Sequence, residues 1–296
     1  MSLLDGKLVA SKIKENLKNE ISEWMSHGIR KPKLVIITVG DDDASKVYVR
    51  NKIKACEEVG IVVDNVSFEN DGAEFLVKEY ILHKNLNPAV DGIMVQLPLP
   101  EEYDERAIID CISPWKDVDG LTTVNIGKLR SGQDCLKPCT AQGVMDLFKE
   151  YNIEISGKNA VIVGRSNIVG KPLADLMLSE GATVTQCHSK TKNIQKIMQT
   201  ADIFVSAIGK AEYFATDYNI KPGAVIVDVG INRNSAGKLV GDIVTENMMD
   251  RASYITPVPG GVGPMTVAEL LVNTVKAYKD NTWRSIEVNE VIDEEG

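Results

Sequence analysis

Apolar runs alternate with amphipathic stretches along almost the whole chain, the pattern of an α/β protein. The helical period predicts a first helix over residues 6–27, with Gly28 as its stop. "KLVIITVG" reads as a buried strand, followed by a helix over 44–59 that ends at Gly60. "IVVDNVSF" predicts a strand and 73–84 a helix. "VDGIMVQLPLP" is a strand that runs into a proline-bounded loop, and 104–112 is helical. The next stretch, "SPWKDVDGLTTVNIGKLRSGQDCLKPCT", is long, turn-rich and weakly periodic, as functional or interdomain segments usually are. A second α/β unit opens with a helix near 140 and continues through the strands "NAVIVG", "ATVTQC", "DIFVSAIG" and "AVIVDVGI". The loop "TPVPGGVGP" then leads into a last helix over 265–278. The expected organisation is a first domain over 1–139, a second over 140–264, a final helix over about 265–280 packing back on the first, and a flexible acidic tail over 281–296.

Within the 44–59 helix, Ala44, Val47, Tyr48, Asn51, Lys52, Ala55 and Val59 share one face by their i, i+3, i+4 spacing. That face is expected to be the inner one, and it carries a lysine. Lys52 admits three readings: a side chain that snorkels to the surface, an anion ligand, or a base made available by desolvation of its ammonium. Tyr48, one turn before it, is either a core residue or a flat surface for a ring to stack on. Gln96 closes the strand "VDGIMVQ", and a polar residue at a strand end before a rigid turn is a common site geometry in open α/β sheets. "KDVDG" presents Asp117 and Asp119 in a turn, where a carboxylate can accept two parallel N–H bonds from an amidine-like ring edge. "PVPGGVGP" joins proline rigidity to glycines that permit close backbone approach.

In the second unit, "NAVIVGRSNIVGKP" is a strand, a glycine turn and a helix start. Gly164 allows the sharp turn, Ser166 and the amides near Gly170 can bind a pyrophosphate, and Pro172 suits a first helical turn. The spacing is GxSxxxG rather than GxGxxG, a weak signal alone. An NAD site usually places an acid at the end of the next strand. Here that strand ends "TQCHSKT", with Ser189 and Lys190 and no carboxylate, and Arg165 lies beside the turn. A guanidinium with a hydroxyl favours a 2′-phosphate, so NADP is expected over NAD. His188 reads as structural or as a surface residue.

Composition narrows the class. The chain has 296 residues and a net charge of −9, which argues against a nucleic-acid partner. No apolar run approaches a membrane span and the N-terminus shows no signal-peptide pattern, so no membrane association is expected. The five cysteines (56, 111, 135, 139 and 187) lack metal-ligand spacing and suggest reduced thiols in a cytoplasm. With only three histidines, metal-free chemistry is the expectation.

"ASKVYVRNKIKACEEVGI", "GIMVQLPLP", "KDVDG", "VGRSNIVGKP", "TVTQCHSKT", "GAVIVDVGIN" and "PVPGGVGPMTVAELL" follow one another in an order that resembles the bifunctional methylenetetrahydrofolate dehydrogenase/methenyltetrahydrofolate cyclohydrolase family. The resemblance runs from about Leu4 to Tyr278. It implies two α/β domains with an interdomain cleft, the second a Rossmann-like NADP-binding domain, tetrahydrofolate derivatives as substrates in one-carbon metabolism, and a homodimer. It implies Lys52 as the catalytic lysine, assisted by Gln96, with Tyr48 against the folate and Asp119 on the pterin. Pro259, Gly260 and Gly261 border the folate by the same resemblance, and Gly164, Arg165, Ser166, Ser189 and Ile231 contact the cofactor. Two departures stand out. Many members continue "KDVDG" with Phe-His-Pro where this chain has Leu121-Thr122-Thr123, and Ala141-Gln142 interrupts the frequent Pro-Cys-Thr-Pro-x-Gly.

Overall fold

A computed structural model describes residues 2–71, 73–215 and 220–294, with backbone alone at 43, 44 and 282–294. The chain divides into two compact units. One holds Met1–Lys12 and Pro138–Glu269, the other Ile13–Lys137 and Leu270–Gly296. The first twelve residues therefore group with the later unit, not with the domain that follows them in sequence. The cause is local: Ser2–Leu3 pairs in parallel with Tyr254–Ile255 and extends that unit's sheet.

The 13–137 unit is built on three parallel strands in the order Val62–Phe68, Lys33–Val39, Gly92–Val95. The central strand, with Leu34 to Ile37 fully buried, packs in a core with Val77, Ile81, Val90, Ile93 and Ile108. Leaving the central strand, the chain enters the Asp43–Val59 helix. Asp42 starts it by accepting the Ser45 amide at 2.7 Å, and Gly60 stops it in the left-handed region at φ 95°. The inner face of this helix differs from the one expected. Val49, Ala55, Cys56 and Val59 are buried, while Val47 and Tyr48 are about two-fifths exposed. Two overlapping 3.6-residue stripes fit the same sequence, and the strand beneath selects the one containing Val49 and Cys56. Lys52 lies three residues after Val49 and four before Cys56, at the border between the buried and open faces.

The turn-rich stretch contains a helix the periodicity did not reveal, Thr123–Arg130. Thr122 caps it through the Asn125 amide, and the Thr123 amide and hydroxyl both donate to Asp110 at 2.7 Å. Only Asn125 and Leu129 of the eight residues are buried, too little for an amphipathic signal. The Leu121-Thr122-Thr123 departure is thus a helix start.

The other unit carries a six-stranded parallel sheet in the order Ser2–Leu3, Tyr254–Ile255, Val225–Asp228, Ile203–Ser206, Asn159–Val163, Thr183–Cys187. From its first long strand this is the doubly wound order 2-1-3-4-5, whose switch point lies between Asn159–Val163 and Ile203–Ser206. A short antiparallel hairpin, Asn232–Arg233 with Leu239–Val240, stands beyond the fourth strand. Ala141 is buried within the Cys139–Glu150 helix, and Gln142 donates to Asp146 at 2.7 Å. The last helix runs Val262–Glu294, through most of the segment expected to be a flexible tail. The acidic composition read as fraying also suits a helix, since glutamate is a good helix former. Glu295 and Gly296 lie outside the described residues. Among the described residues no helix is long and apolar enough to cross a membrane, and no cluster of His, Cys, Asp or Glu could hold a metal ion.

Candidate active site

Lys52 is half-buried, and its Nζ donates to Gln96 Oε1 at 3.0 Å, with Met94 Sδ at 3.8 Å. The pairing follows from topology. Val39 and Val95 end adjacent strands on either side of that sheet's switch point, and Gln96 is the next residue, its amide donating to the Ile37 carbonyl at 2.8 Å. Gln96 Nε2 donates to the Leu97 carbonyl at 2.6 Å. The side-chain amide is thereby oriented, with its oxygen toward the lysine. Cys56, one turn further along the helix, is fully buried, and that burial pushes its thiol up to about 12, so it stays neutral beside Lys52. Tyr48 is exposed on the same helix, which removes the core reading.

Asp117 and Asp119 divide their roles. Asp117 is buried and accepts from the Leu121 amide (3.1 Å), the Thr122 amide (2.8 Å) and Asn125 Nδ2 (2.9 Å). Burial raises its pKa against those hydrogen bonds. It organises the turn, whereas half-buried Asp119 has no hydrogen-bond or ion-pair partner among the described residues. No bond joins Asp119 to Lys52 or Gln96. Pro259, Gly260 and Gly261 belong to the other unit. There the Gly261 amide donates to the Pro257 carbonyl at 2.8 Å, and Pro259 is exposed.

At the switch point of the six-stranded sheet, Gly164 has φ 135°, and a Cβ there would sit 2.3 Å from the Ala207 carbonyl oxygen. A Cβ on Gly170 would sit 2.4 Å from the Gly164 carbonyl oxygen. The turn and the helix Gly170–Ser179 are therefore packed backbone to backbone, as a pyrophosphate cradle requires. Ser166 Oγ accepts from the Val169 amide (3.2 Å) and the Gly170 amide (3.3 Å), so those amides are already capped, and the serine hydroxyl proton is what remains to meet a phosphate. Val163 pairs with Cys187, which sends Arg165 and Ser189 out of adjacent strand ends, both exposed. His188 is used structurally, its Nδ1 accepting from the Lys190 amide at 3.2 Å. Ile231 is two-fifths exposed and lies against Gly263. The residues present fit a dinucleotide that carries an additional phosphate.

Sequence reasoning passed over Asp228 and Asp242, both buried in the cofactor-side unit. The signal was available: each is an acid at or near the end of an apolar run, with a glycine one or two residues away.

By fold and site, the chain is a two-unit α/β protein of the dinucleotide-binding class. The comparisons narrow the class. Residues 4–119 match the catalytic domain, and residues 138–282 the NAD(P)-binding domain, of tetrahydrofolate dehydrogenase/cyclohydrolase. The chain belongs to the tetrahydrofolate dehydrogenase/cyclohydrolase family. The bifunctional protein FolD of Campylobacter hominis is 53% identical over 284 residues, 96% of this chain and 99% of that protein. The crystal structure of FolD methylenetetrahydrofolate dehydrogenase/cyclohydrolase from Campylobacter jejuni has a TM-score of 0.92 at 46% identity, covering 95% of this chain and 99% of that one. The methylenetetrahydrofolate dehydrogenase-cyclohydrolase of Trypanosoma brucei, solved with NADP and an inhibitor, gives 0.89 at 38%, covering 94% and 97%.

Proposed function

We propose that the chain oxidises 5,10-methylenetetrahydrofolate with NADP and hydrolyses the methenyl product to 10-formyltetrahydrofolate, with Lys52 as general base. The observation that carries this reading is the 3.0 Å bond from Lys52 to an oriented Gln96 at a sheet switch point. In the hydrolysis, water attacks the methenyl carbon, a base takes its proton, and the bond from that carbon to N5 then breaks as N5 takes up a proton, leaving the formyl group on N10. A neutral amine suits that step, since a permanent ammonium would repel the cationic substrate. Gln96 Oε1 accepts an N–H from Lys52 whether the nitrogen carries two protons or three, so the amine keeps its direction through the cycle. Tyr48 offers a ring face to the folate, and the unpartnered Asp119 offers a carboxylate to the pterin edge. Pro259, Gly260 and Gly261 are proposed to border the folate.

When bound, NADP supplies the hydride acceptor. Gly164 and Ser166 would receive its pyrophosphate, Arg165 and Ser189 its 2′-phosphate, and Ile231 would supply an apolar contact. The oxidation needs no strong acid, because the folate nitrogens stabilise the cation formed. Alignment of the two reactants then does most of the work, and it can lower a barrier by roughly 7–11 kcal/mol. The NADP held by the Trypanosoma brucei relative supports the choice of cofactor.

The protein is proposed to act in one-carbon metabolism, in the cytoplasm, as a homodimer. Its cysteines are free thiols, in keeping with a reducing compartment. Phe75, Leu82 and Leu86 stand exposed on the Glu74–Leu86 helix, an apolar stripe suited to a second copy. The test is a spectrophotometric assay with methylenetetrahydrofolate and each nicotinamide cofactor, reading reduced cofactor and methenyl absorbance together. The reading predicts NADP-dependent reduction with little methenyl accumulation. Absence of turnover, or a clear preference for NAD, contradicts it.

A further inference from the structure

Two buried acids interlock beyond the cofactor turn. Asp242 is fully buried, yet no lysine or arginine pairs with it among the described residues. Five donors surround it instead. Its Oδ2 accepts from Ser206 Oγ (2.8 Å) and from the amides of Ile208 (2.8 Å) and Gly209 (3.3 Å). Its Oδ1 accepts from the Lys210 amide (2.8 Å) and Asn232 Nδ2 (3.0 Å). Asp228 accepts from the amides of Gly230 (2.9 Å), Asp242 (3.0 Å) and Ile243 (2.8 Å). A Cβ on Gly230 would lie 2.2 Å from Asp242 Oδ1, and one on Gly241 would lie 1.9 Å from Asp228 Oδ2. Both glycines thus make room for the carboxylates.

The backbone that this pair grips runs beside the Gly164 turn. Residues 206–210 follow the switch-point strand, and Ala207 is the neighbour against which Gly164 closes. Residues 229–232 include Ile231. A charge satisfied only by N–H and O–H dipoles holds its donors in one geometry, since any shift leaves a buried carboxylate short of bonds.

We propose that Asp242, interlocked with Asp228, is a positioning residue for the oxidation, fixing the 206–210 and 229–232 segments so that the cofactor finds a preformed rim. Burial pushes the Asp228 carboxyl up to about 7, against the three amides that donate to it. The inference rests on the cofactor reading above, and the experiment separates the two. Asp242→Asn turns one oxygen into a donor facing donors. In the full chain, NADP affinity is measured by titration, oxidation by its KM for NADP and its kcat, and hydrolysis on methenyltetrahydrofolate supplied without cofactor. The expected result is a KM and a Kd for NADP raised at least tenfold, with hydrolysis within twofold of the parent. Unchanged NADP constants, or an equal fall in both activities, overturn the proposal. If Asp242→Asn does not fold, Asn232→Ala, which removes one half-buried tie, decides. A rise of threefold or more in the NADP KM supports the proposal and an unchanged value overturns it. A parent protein that fails to bind NADP would instead sink the cofactor reading.

Discussion

Replacing Gln96 by glutamate tests whether Lys52 must lose a proton to work. Glutamate nearly matches glutamine in shape, so the strand end and the turn after it are kept, but a carboxylate now faces Nζ where the amide oxygen accepts at 3.0 Å. Two unit charges at that separation attract by about 5.5 kcal/mol at an effective dielectric of roughly 20. Both side chains are only half-buried, and solvent screening reduces the usable part to about 1.5–3 kcal/mol. That energy stabilises the ammonium over the amine. Hydrolysis of methenyltetrahydrofolate at pH 7 should fall about 10–100-fold, since each 1.4 kcal/mol is a factor of ten. Raising the pH should restore it, because deprotonation then competes with the new ion pair. Oxidation with NADP should change by less than threefold. The assay is the loss of methenyl absorbance across a pH series, in parent and variant. Unimpaired hydrolysis at neutral pH, or a loss that alkali does not relieve, would refute the reasoning.

Other outcomes follow from the same geometry. Gly164→Ala places a methyl 2.3 Å from a backbone carbonyl at a φ that L-residues avoid. The strain, about 2–4 kcal/mol, should weaken NADP binding by at least 30-fold in a titration while sparing hydrolysis. Arg30→Ala removes the bidentate 2.7 Å partner of the fully buried Asp91 and should cost about 2–3 kcal/mol in urea unfolding, the guanidinium being partly solvated. Asp228 binds its proton more tightly folded, at about 7, than its ordinary 3.8. Its contribution is therefore complete below about pH 4 and is lost as pH rises through 7, a swing of roughly 4 kcal/mol. Melting temperature should fall more steeply between pH 4 and 7 in the parent than in Asp228→Asn.

The sequence was most legible where period and caps agreed. The Asp43–Val59 helix shows its stop at Gly60, and the buried strands stand out as unbroken apolar runs. The burial of that helix was misjudged because adjacent stripes carry similar residues, and only the sheet beneath distinguishes them. The Thr123–Arg130 helix was hidden by a buried face of two residues, and the two-residue strands by their length. Lys52 and Gln96 were each visible as polar groups beside apolar runs. Their 3.0 Å contact depends on which strands are neighbours, a long-range fact that local pattern does not carry. Asp228 and Asp242 were missed for the same reason. Alone, each looks like a turn acid, and only their shared cage of amides marks them as a joined pair.

The most direct test of the central claim is hydrolysis of methenyltetrahydrofolate by Lys52→Met, with NADP affinity measured on the same preparation. The account predicts hydrolysis at the uncatalysed background and an NADP Kd within twofold of the parent. Sustained hydrolysis by a folded, NADP-binding Lys52→Met protein would contradict it.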